Sequence, residues 1–188
     1  MDWLRAGGSR QEFERFVADR TGPLLRTAYL MAGNLAEAED LVQETLLRVA
    51  RHWPRVRAME YPAAYARRVL VNVAVDGAER RVRRAGELAA SDGDVATDLA
   101  DIRAQRDLHG VDAQQELLGA LGALTARQRA IILLRYWEDL PEADVAEILG
   151  CSAGTVKSTA SRGLARLRAI IGNDASGYAL SRNGHDAE

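Results

Sequence analysis

The sequence predicts an all-α protein built of two small helical domains. Ala, Leu, Arg and Glu dominate its 188 residues, whereas aromatic residues make up only 5%, and this composition favours helices over strands. Apolar residues, 47% of the chain, recur at steps of three and four along several segments, which is the period of a helix with one buried face. Near residue 100 this period fades and acidic residues take over. We therefore expect a linker there, with one domain on each side.

The first two helices are predicted from apolar periodicity and from helix-breaking residues. The first spans Gln11–Tyr29, and Gly22 followed by Pro23 permits a break or a kink within it. Asn34 suits the N-cap of the second helix, because its side-chain oxygen can accept a hydrogen bond from a free N–H of the first turn. The apolar stripe of that second helix continues to Pro54, and its other face is strongly charged.

A third helix is predicted from Ala63 to Arg84, with Pro62 in its first turn and Gly86 at its end. Its apolar face is expected to contain Tyr65, Val69 and Val73. Basic residues occupy much of its remaining surface. Residues 86–112 are rich in Asp, Ala and Gly with weak periodicity, which predicts an acidic linker and a domain boundary.

The second domain is predicted to consist of short helices between residues 113 and 171. These helices are Gln114–Leu121, Ala126–Trp137, Glu142–Leu149 and Ala153–Ile171. Thr125 and Ser152 stand where N-caps are needed, and Gly150 stands where a left-handed C-cap is needed. The remaining residues, 172–188, form a polar tail that is expected to fray.

The last two of these helices are joined by a three-residue turn, so Leu140–Leu167 is predicted to form a helix-turn-helix, and the two helices differ in charge. The segment Glu138–Glu147 is strongly acidic, whereas Ala153–Ile171 contains only basic charges. A helix with basic and hydroxyl side chains on its outer face suits the major groove of DNA. An ordinary amphipathic helix with a solvated basic face is the competing interpretation, and the acidic neighbour and the glycine turn argue against it. Gly154 and Gly163 predict close approach of another backbone, with helix packing favoured over DNA.

The apolar stripe of the last helix is expected to lie in the core. It consists of Val156, Ala160, Leu164, Leu167 and Ile171.

Cysteine and histidine usage argues against metal-dependent functions. The single Cys151 excludes an internal disulfide and a thiolate metal cluster. The three histidines lack ligand-like spacing, so we expect neither a metal nor a cofactor.

A hydrolase and a membrane protein are also disfavoured. Gly150–Gly154 matches the G-x-S-x-G elbow of α/β-hydrolases, but that elbow needs a preceding strand, and the preceding segment has helical periodicity. No apolar run approaches the roughly 18 residues needed to span a bilayer. We expect a cytoplasmic protein without catalysis of its own.

The chain resembles the extracytoplasmic-function sigma factors, the short two-domain relatives of bacterial primary sigma factors. The resemblance covers nearly everything from Phe13 to Arg168, and its motifs follow one another in the family's order. In the first domain they are Ala38-Glu39-Asp40-Leu41-Val42-Gln43-Glu44, Tyr61-Pro62-Ala63-Ala64-Tyr65 and Arg67-Arg68-Val69-Leu70-Val71-Asn72. In the second they are Leu134-Arg135-Tyr136 and Glu147-Ile148-Leu149-Gly150-Cys151-Ser152, followed by Gly154-Thr155-Val156-Lys157-Ser158. The last motif resembles the actinobacterial sigma-E-like subfamily.

The resemblance implies three binding surfaces. In the family, the second helix docks on the β′ clamp helices of the RNA polymerase core, and the corresponding residues here are Glu37, Glu39, Asp40, Gln43, Glu44 and Arg48. The third helix and its preceding loop melt the promoter −10 element and hold an extruded base, which implies roles for Tyr65, Arg67, Arg68, Asn72, Arg80, Arg81, Arg83 and Arg84. Asn72 matches the family's base-reading asparagine, and Tyr65 replaces a common tryptophan. The helix-turn-helix reads the −35 element, which implies contacts from Arg135, Thr155, Lys157, Ser158, Ser161 and Arg162.

The resemblance also implies a domain plan and further partners. Residues 9–85 correspond to sigma region 2, residues 86–112 to the acidic linker, residues 113–171 to sigma region 4, and residues 172–188 to a polar tail. The linker is expected to thread through polymerase, although a simple solvated tether has the same composition. The polymerase β flap and promoter DNA are expected partners, and the sequence leaves open whether an anti-sigma factor is another. The alternative class is a dimeric helix-turn-helix regulator that binds an operator without polymerase.

Overall fold

The computed structural model describes residues 7–91 and 112–182, and within these ranges every residue lies in a helix or in a short connection between helices. The prediction of an all-α fold is therefore confirmed. The chain divides into two compact units, Met1–Asp98 and Leu99–Glu188. None of the helices in the described ranges is both long and apolar enough to cross a membrane.

Over residues 7–91, the described part of the first unit, there are three long helices and one short one. They are α1 (Gly7–Ala32), α2 (Leu35–Arg51), α3 (Trp53–Val56) and α4 (Pro62–Ser91). Helices α1, α2 and α4 pack against one another in all three pairings. Their shared core is built from Leu24, Ala28, Ala38, Val42, Val49, Trp53, Val56, Ala66 and Leu70.

Local sequence signals decide where α2 begins, but they do not break α1. The Asn34 side chain accepts a hydrogen bond of 2.8 Å from the main-chain N–H of Glu37, which confirms the predicted N-cap. Helix α1 continues through Pro23, so the break that the sequence permits does not occur. The buried residues Leu24 and Ala28, directly after the proline, hold that part of α1 in the core, and this packing outweighs the lost main-chain hydrogen bond.

Helix α4 is longer than the sequence predicts, and its buried face is rotated. It passes Gly86 and ends at Ser91, because a glycine in a helix costs only about 1 kcal/mol relative to alanine. Tyr65 and Val69, which were expected in the core, are only half-buried, whereas the predicted Val73 is buried. Both α1 and α2 pack on α4, so the buried stripe is wide and is centred on other positions. That stripe consists of Ala66, Leu70, Val71, Val73, Ala74 and Val75.

The described part of the second unit runs from Asp112 to Arg182. It consists of α5 (Asp112–Gly122), α6 (Ala126–Ile132), a π-helical turn (Leu133–Trp137), α7 (Glu142–Leu149) and α8 (Ala153–Arg182). Helix α8 continues through Gly172 to Arg182, where the sequence predicted fraying, and the composition of this stretch does not explain the continuation. Most of the predicted acidic linker and residues 183–188 lie outside the described residues.

The predicted helix caps of the second unit are all confirmed. Thr125 and Gln128 form a reciprocal capping box at the start of α6. The hydroxyl of Ser152 accepts a hydrogen bond of 3.1 Å from the main chain of Thr155 in the first turn of α8. Gly150 ends α7 with φ of 60°, in the left-handed region that favours glycine.

Candidate nucleic-acid interface

Helices α7 and α8 form the helix-turn-helix that the sequence predicts. The turn between them is closed by two main-chain hydrogen bonds, from Cys151 to Ala146 at 3.0 Å and from Gly150 to Glu147 at 3.4 Å. This bonding pattern satisfies the last carbonyls of α7 and turns the chain sharply into α8. Because α7 is a helix and not a strand, the hydrolase elbow considered for this segment is wrong.

The polar face predicted for α8 is exposed. Val156, Thr159, Ala160 and Gly163 are buried against the rest of the unit, so the opposite side of the helix faces outward. The exposed side chains include all those predicted on α8 for DNA, namely Thr155, Lys157, Ser158, Ser161 and Arg162. No carboxylate accompanies them on Ala153–Ile171. This surface can therefore donate hydrogen bonds to phosphates and base edges without repelling them.

Hydrogen bonds along α8 arrange part of this face before any ligand binds. The hydroxyls of Ser152 and Thr155 lie 2.9 Å apart, and the Ser158 hydroxyl donates to the Thr155 carbonyl at 3.2 Å. The Arg162 guanidinium lies back along the helix, where Nε meets the Ser158 carbonyl at 3.3 Å. This arginine is exposed, so it can exchange such a weak contact for a stronger one to DNA.

The two glycines of α8 and the end of its apolar stripe differ in their surroundings. A Cβ atom on Gly163 would lie 2.7 Å from Cδ1 of Ile132, which confirms close packing there, although against a side chain and not a backbone. Gly154 has no comparable neighbour, so the expectation of close packing is wrong for it. Of the apolar stripe expected in the core, Val156 and Ala160 are buried, whereas Leu164 and Leu167 are only half-buried and Ile171 is 48% exposed. The apolar stripe therefore extends further along α8 than the helices that pack on it.

Arg135 stands apart from the other residues predicted to contact DNA. It lies in the π-helical turn, is half-buried, and donates a hydrogen bond to the carbonyl of Leu140. That turn is also closed by the main-chain bond from Glu138 to Leu133 at 3.0 Å. The connection that follows it contains Asp139 with φ of 51°. The structure thus gives Arg135 a role in holding the connection between the π-helical turn and α7.

Two arginines that the sequence analysis did not single out hold the ends of helices. The buried guanidinium of Arg129 donates to the carbonyls of Leu121, at 2.8 Å, and of Gly122, at 3.2 Å. Arg127 donates to the carbonyl of Leu149, the last residue of α7, at 3.1 Å. A cation at a helix C-terminus interacts favourably with the helix dipole. Since any surface arginine has the same sequence signal, only the fold distinguishes this pair.

On the face of α2 that was predicted to bind the polymerase core, the central side chains are exposed, and those at either end form ion pairs within the chain. Glu39, Asp40 and Gln43 are exposed. Glu44 and Arg48 form an ion pair of 2.7 Å within the helix. The last member of the predicted set, Glu37, pairs with Arg81 of α4.

One apolar residue on this face escaped the sequence analysis. Leu47 is 52% exposed and follows Asp40 and Gln43 at helical spacing. An exposed leucine surrounded by charges is a feature of surfaces that bind another helix.

The residues predicted to bind the −10 element share α4, but they differ in exposure. Tyr65 and Asn72 are both half-buried and stand seven residues apart, about 10.5 Å along one face of the helix. Arg67 and Arg68 are also half-buried. The exposed arginines lie in the second half of the helix and comprise Arg80, Arg81, Arg83 and Arg84. Arg81 forms an ion pair with Glu37, which neutralises part of its charge.

A cavity of about 220 Å³ lies beside Tyr65. Its other lining residues are His52, Arg55, Val56 and Met59, which belong to α3 and its flanks. No binding role was predicted from the sequence for these four residues. The cavity combines an aromatic ring, apolar walls and cationic or neutral donors, which suits a planar, polar-edged ligand such as a base. Within residues 7–91 and 112–182 no group of three or more His, Cys, Asp or Glu side chains could hold a metal ion.

Two family models match the chain. The model described as Sigma-70 region 2 matches residues 16–85, and the model described as Sigma-70, region 4 matches residues 114–167.

Curated relatives match over most of their own length. The RNA polymerase sigma-E factor of Streptomyces coelicolor is 34% identical over 178 residues, which cover 93% of this chain and 95% of that protein. The ECF RNA polymerase sigma factor SigL of Mycobacterium tuberculosis is 35% identical over 152 residues, which cover 79% of this chain and 82% of that protein.

A solved structure also matches. It is the sigma factor RpoE in complex with the anti-sigma factor NepR from Bartonella quintana, with a TM-score of 0.64 and 27% identity. The match covers 86% of this chain and 97% of that one.

Proposed function

The chain belongs to the extracytoplasmic-function sigma factors of the sigma-70 family, and from that premise we propose which of its surfaces perform each part of promoter recognition. It is an RNA polymerase sigma factor that directs promoter-specific transcription. The observation that supports the assignment of surfaces is that the side chains predicted on α8 for DNA form one exposed, acid-free face.

The exposed face of α2 binds the polymerase core. Glu39, Asp40 and Gln43 supply charge and hydrogen-bond acceptors at its centre, and Leu47 supplies apolar area that a partner helix can cover. A half-exposed leucine in a charged surround contributes affinity when it is desolvated, whereas the charges set orientation and rate of association. Glu37, Glu44 and Arg48 lie at the margins of this surface, where they already have partners within the chain.

Helix α4 and the cavity beside it open the −10 element. Asn72 reads a base edge, and Tyr65 stacks on an extruded base that enters the cavity lined by His52, Arg55 and Met59. The arginines of α4 hold the phosphates next to the opened region, which gives affinity with little sequence information and a steep dependence on salt. They are Arg67, Arg68, Arg80, Arg81, Arg83 and Arg84.

Helix α8 reads the −35 element from the major groove. Arg162 and Lys157 donate to base edges or phosphates, and the hydroxyls of Thr155, Ser158 and Ser161 add shorter contacts. Arg135 contributes to DNA binding indirectly, because its hydrogen bond to the Leu140 carbonyl holds the connection before α7 at the edge of this surface.

The proposed domain plan follows from these surfaces. Residues 9–85 act as region 2 and residues 113–171 as region 4, joined by an acidic linker over 86–112 and followed by a tail over 172–188. The protein acts in the cytoplasm as a specificity subunit without catalysis of its own. Its region 4 also contacts the β flap of polymerase. Because the similar sigma factor RpoE was solved with an anti-sigma factor, we include such a partner in the proposal.

Reconstitution with core polymerase tests this assignment. The full chain is mixed with core enzyme and a promoter library randomised at the −10 and −35 positions, and the transcripts are sequenced. Arg162→Ala should alter the preference at one −35 position by about 1–3 kcal/mol if the side chain contacts a base. Arg168→Ala is the matched control, because it removes the same charge from another exposed side of α8.

Two outcomes would contradict the proposal. Equal loss of activity on every −35 sequence would limit Arg162 to phosphate binding or folding. Absence of core binding, together with dimeric binding to duplex DNA, would favour an operator-binding regulator instead.

A further inference from the structure

Helix α3 is a single turn, Trp53–Val56, which packs beside α2 and also contacts α1. An isolated turn of helix is unstable in water, because fixing its backbone costs more free energy than its few hydrogen bonds supply. The indole Nε1 of Trp53 donates to the carbonyl of Ser9 at 3.1 Å. The same ring meets Phe13 edge-on and Phe16 at a tilt, with both ring centroids 5.1 Å away. Trp53 is only 3% exposed, so this contact is a packed one.

A second contact with α1 lies directly after α3. The Arg57 guanidinium forms an ion pair of 2.8 Å with the carboxylate of Glu12. The chain from Trp53 to Met59 is bonded as consecutive turns, with Arg57 N–H to the Trp53 carbonyl at 2.9 Å and Met59 N–H to the Val56 carbonyl at 3.0 Å. Trp53 and Arg57 therefore fasten to α1 the same segment that supplies His52, Arg55, Val56 and Met59 to the cavity.

We propose that the first turns of α1 form a brace that positions the base-binding cavity for promoter opening. The brace consists of Ser9, Glu12, Phe13 and Phe16. These residues act through Trp53 and Arg57 and are positioning residues, since none of them lines the cavity. The inference rests on the proposed function of the cavity as the site of an extruded base.

Substitution of Glu12 distinguishes the brace from a simple effect of charge on DNA binding. A carboxylate near bound DNA repels phosphates, so by charge alone Glu12→Gln should strengthen DNA binding. The brace predicts the opposite result, because the neutral amide holds Arg57 less firmly and leaves the cavity-lining segment less constrained. Glu14→Gln is a matched control: it removes the same charge two residues later, where Glu14 pairs at 2.8 Å only with Arg10 of its own helix.

The experiment measures promoter opening by holoenzyme reconstituted from core polymerase and the full chain. Permanganate reactivity of unpaired thymines in the −10 region reports the rate constant of opening. We expect Glu12→Gln to open a duplex promoter about two- to five-fold more slowly than wild type, the range for one solvent-exposed ion pair. Glu14→Gln should open it at the wild-type rate, and both variants should bind core polymerase equally well.

Promoters with a single abasic site test whether the effect passes through the cavity. The abasic site is moved through the non-template strand of the −10 region. At the position of the extruded base, wild type should slow down and the difference between wild type and Glu12→Gln should disappear. A general loss of stability would instead slow Glu12→Gln at every position.

Distinct results overturn the inference and the function on which it rests. Opening by Glu12→Gln as fast as by Glu14→Gln, or a deficit that persists at every abasic position, refutes the brace while leaving base binding intact. If no abasic position slows wild type, the cavity holds no base, and the proposed function of the cavity fails together with the inference.

Discussion

Replacing Gly163 with alanine should destabilise the helix-turn-helix, although alanine is the better helix former. The new Cβ would lie 2.7 Å from Cδ1 and 3.5 Å from Cγ1 of Ile132 in α6. Carbon atoms prefer separations of about 3.5–4.0 Å, so Cδ1 must move by about 1 Å. Ile132 is only 6% exposed, and forcing a methyl group into such a packed site costs about 1–3 kcal/mol. The alanine recovers about 1 kcal/mol of helix preference, which leaves a net loss of about 0–2 kcal/mol.

Gly154→Ala is the matched control, because it makes the same chemical change in the same helix. Its Cβ would meet nothing closer than 3.8 Å, so we expect a gain of up to about 1 kcal/mol. The difference between the two variants therefore isolates the packing cost. Hydrogen exchange of peptides from α6 and α8 measures the free energy of opening of this unit alone, which a global unfolding curve of a two-unit chain does not.

Ile132→Val provides a second check, because it removes the very atom that obstructs the alanine. Alone, it should cost about 0.5–1.5 kcal/mol. Combined with Gly163→Ala, it should cost less than the sum of the two, by about 1 kcal/mol or more. Strict additivity, or stabilisation by Gly163→Ala equal to that by Gly154→Ala, would refute the packing argument.

Two further predictions concern residues that only the structure revealed. Arg129→Met keeps much of the buried volume but removes the donor to the carbonyls of Leu121 and Gly122, the last two residues of α5. The free energy of opening of the second unit should therefore fall by about 1.5–3 kcal/mol in the same exchange experiment. An unchanged value would mean that water satisfies those carbonyls. Leu47→Asp should weaken binding to core polymerase about ten-fold or more in a fluorescence titration, since a buried leucine contributes about 1.5–3 kcal/mol. Because half of the side chain is already exposed, the free energy of unfolding should fall by less than the free energy of binding does. Unaltered affinity would place the interface elsewhere.

Features that depend on a few neighbouring residues could be predicted from the sequence. The caps at Asn34, Thr125, Ser152 and Gly150 lie where they were predicted, because each is a bond between residues three to five positions apart. The exposed basic face of α8 follows from helical periodicity in the same way. Such features need no knowledge of what packs against the helix.

Features that depend on which helices meet could not be predicted in this way. The buried stripe of α4 is set by two helices that pack on it at once, so Tyr65 moves from the expected core to the wall of a cavity. Neither Pro23 nor Gly86 interrupts its helix, because packing and the neighbouring helix-forming residues outweigh the free-energy cost of one unfavourable residue. The end of α8 likewise lies beyond the predicted tail boundary.

Four features follow from the amino-acid sequence alone: the all-α class, the positions of the helix caps, the acid-free face of α8 and the resemblance that identifies a sigma factor. Each of these follows from local periodicity, local hydrogen bonding or a contiguous motif. Three other features become visible once the helices are packed: Arg129 holds the end of α5, Ile132 fills the space beside Gly163, and Glu12 with Arg57 fastens the cavity wall to α1. These contacts join residues whose spacing in the chain bears no fixed relation to their distance in space, and packing alone brings them together.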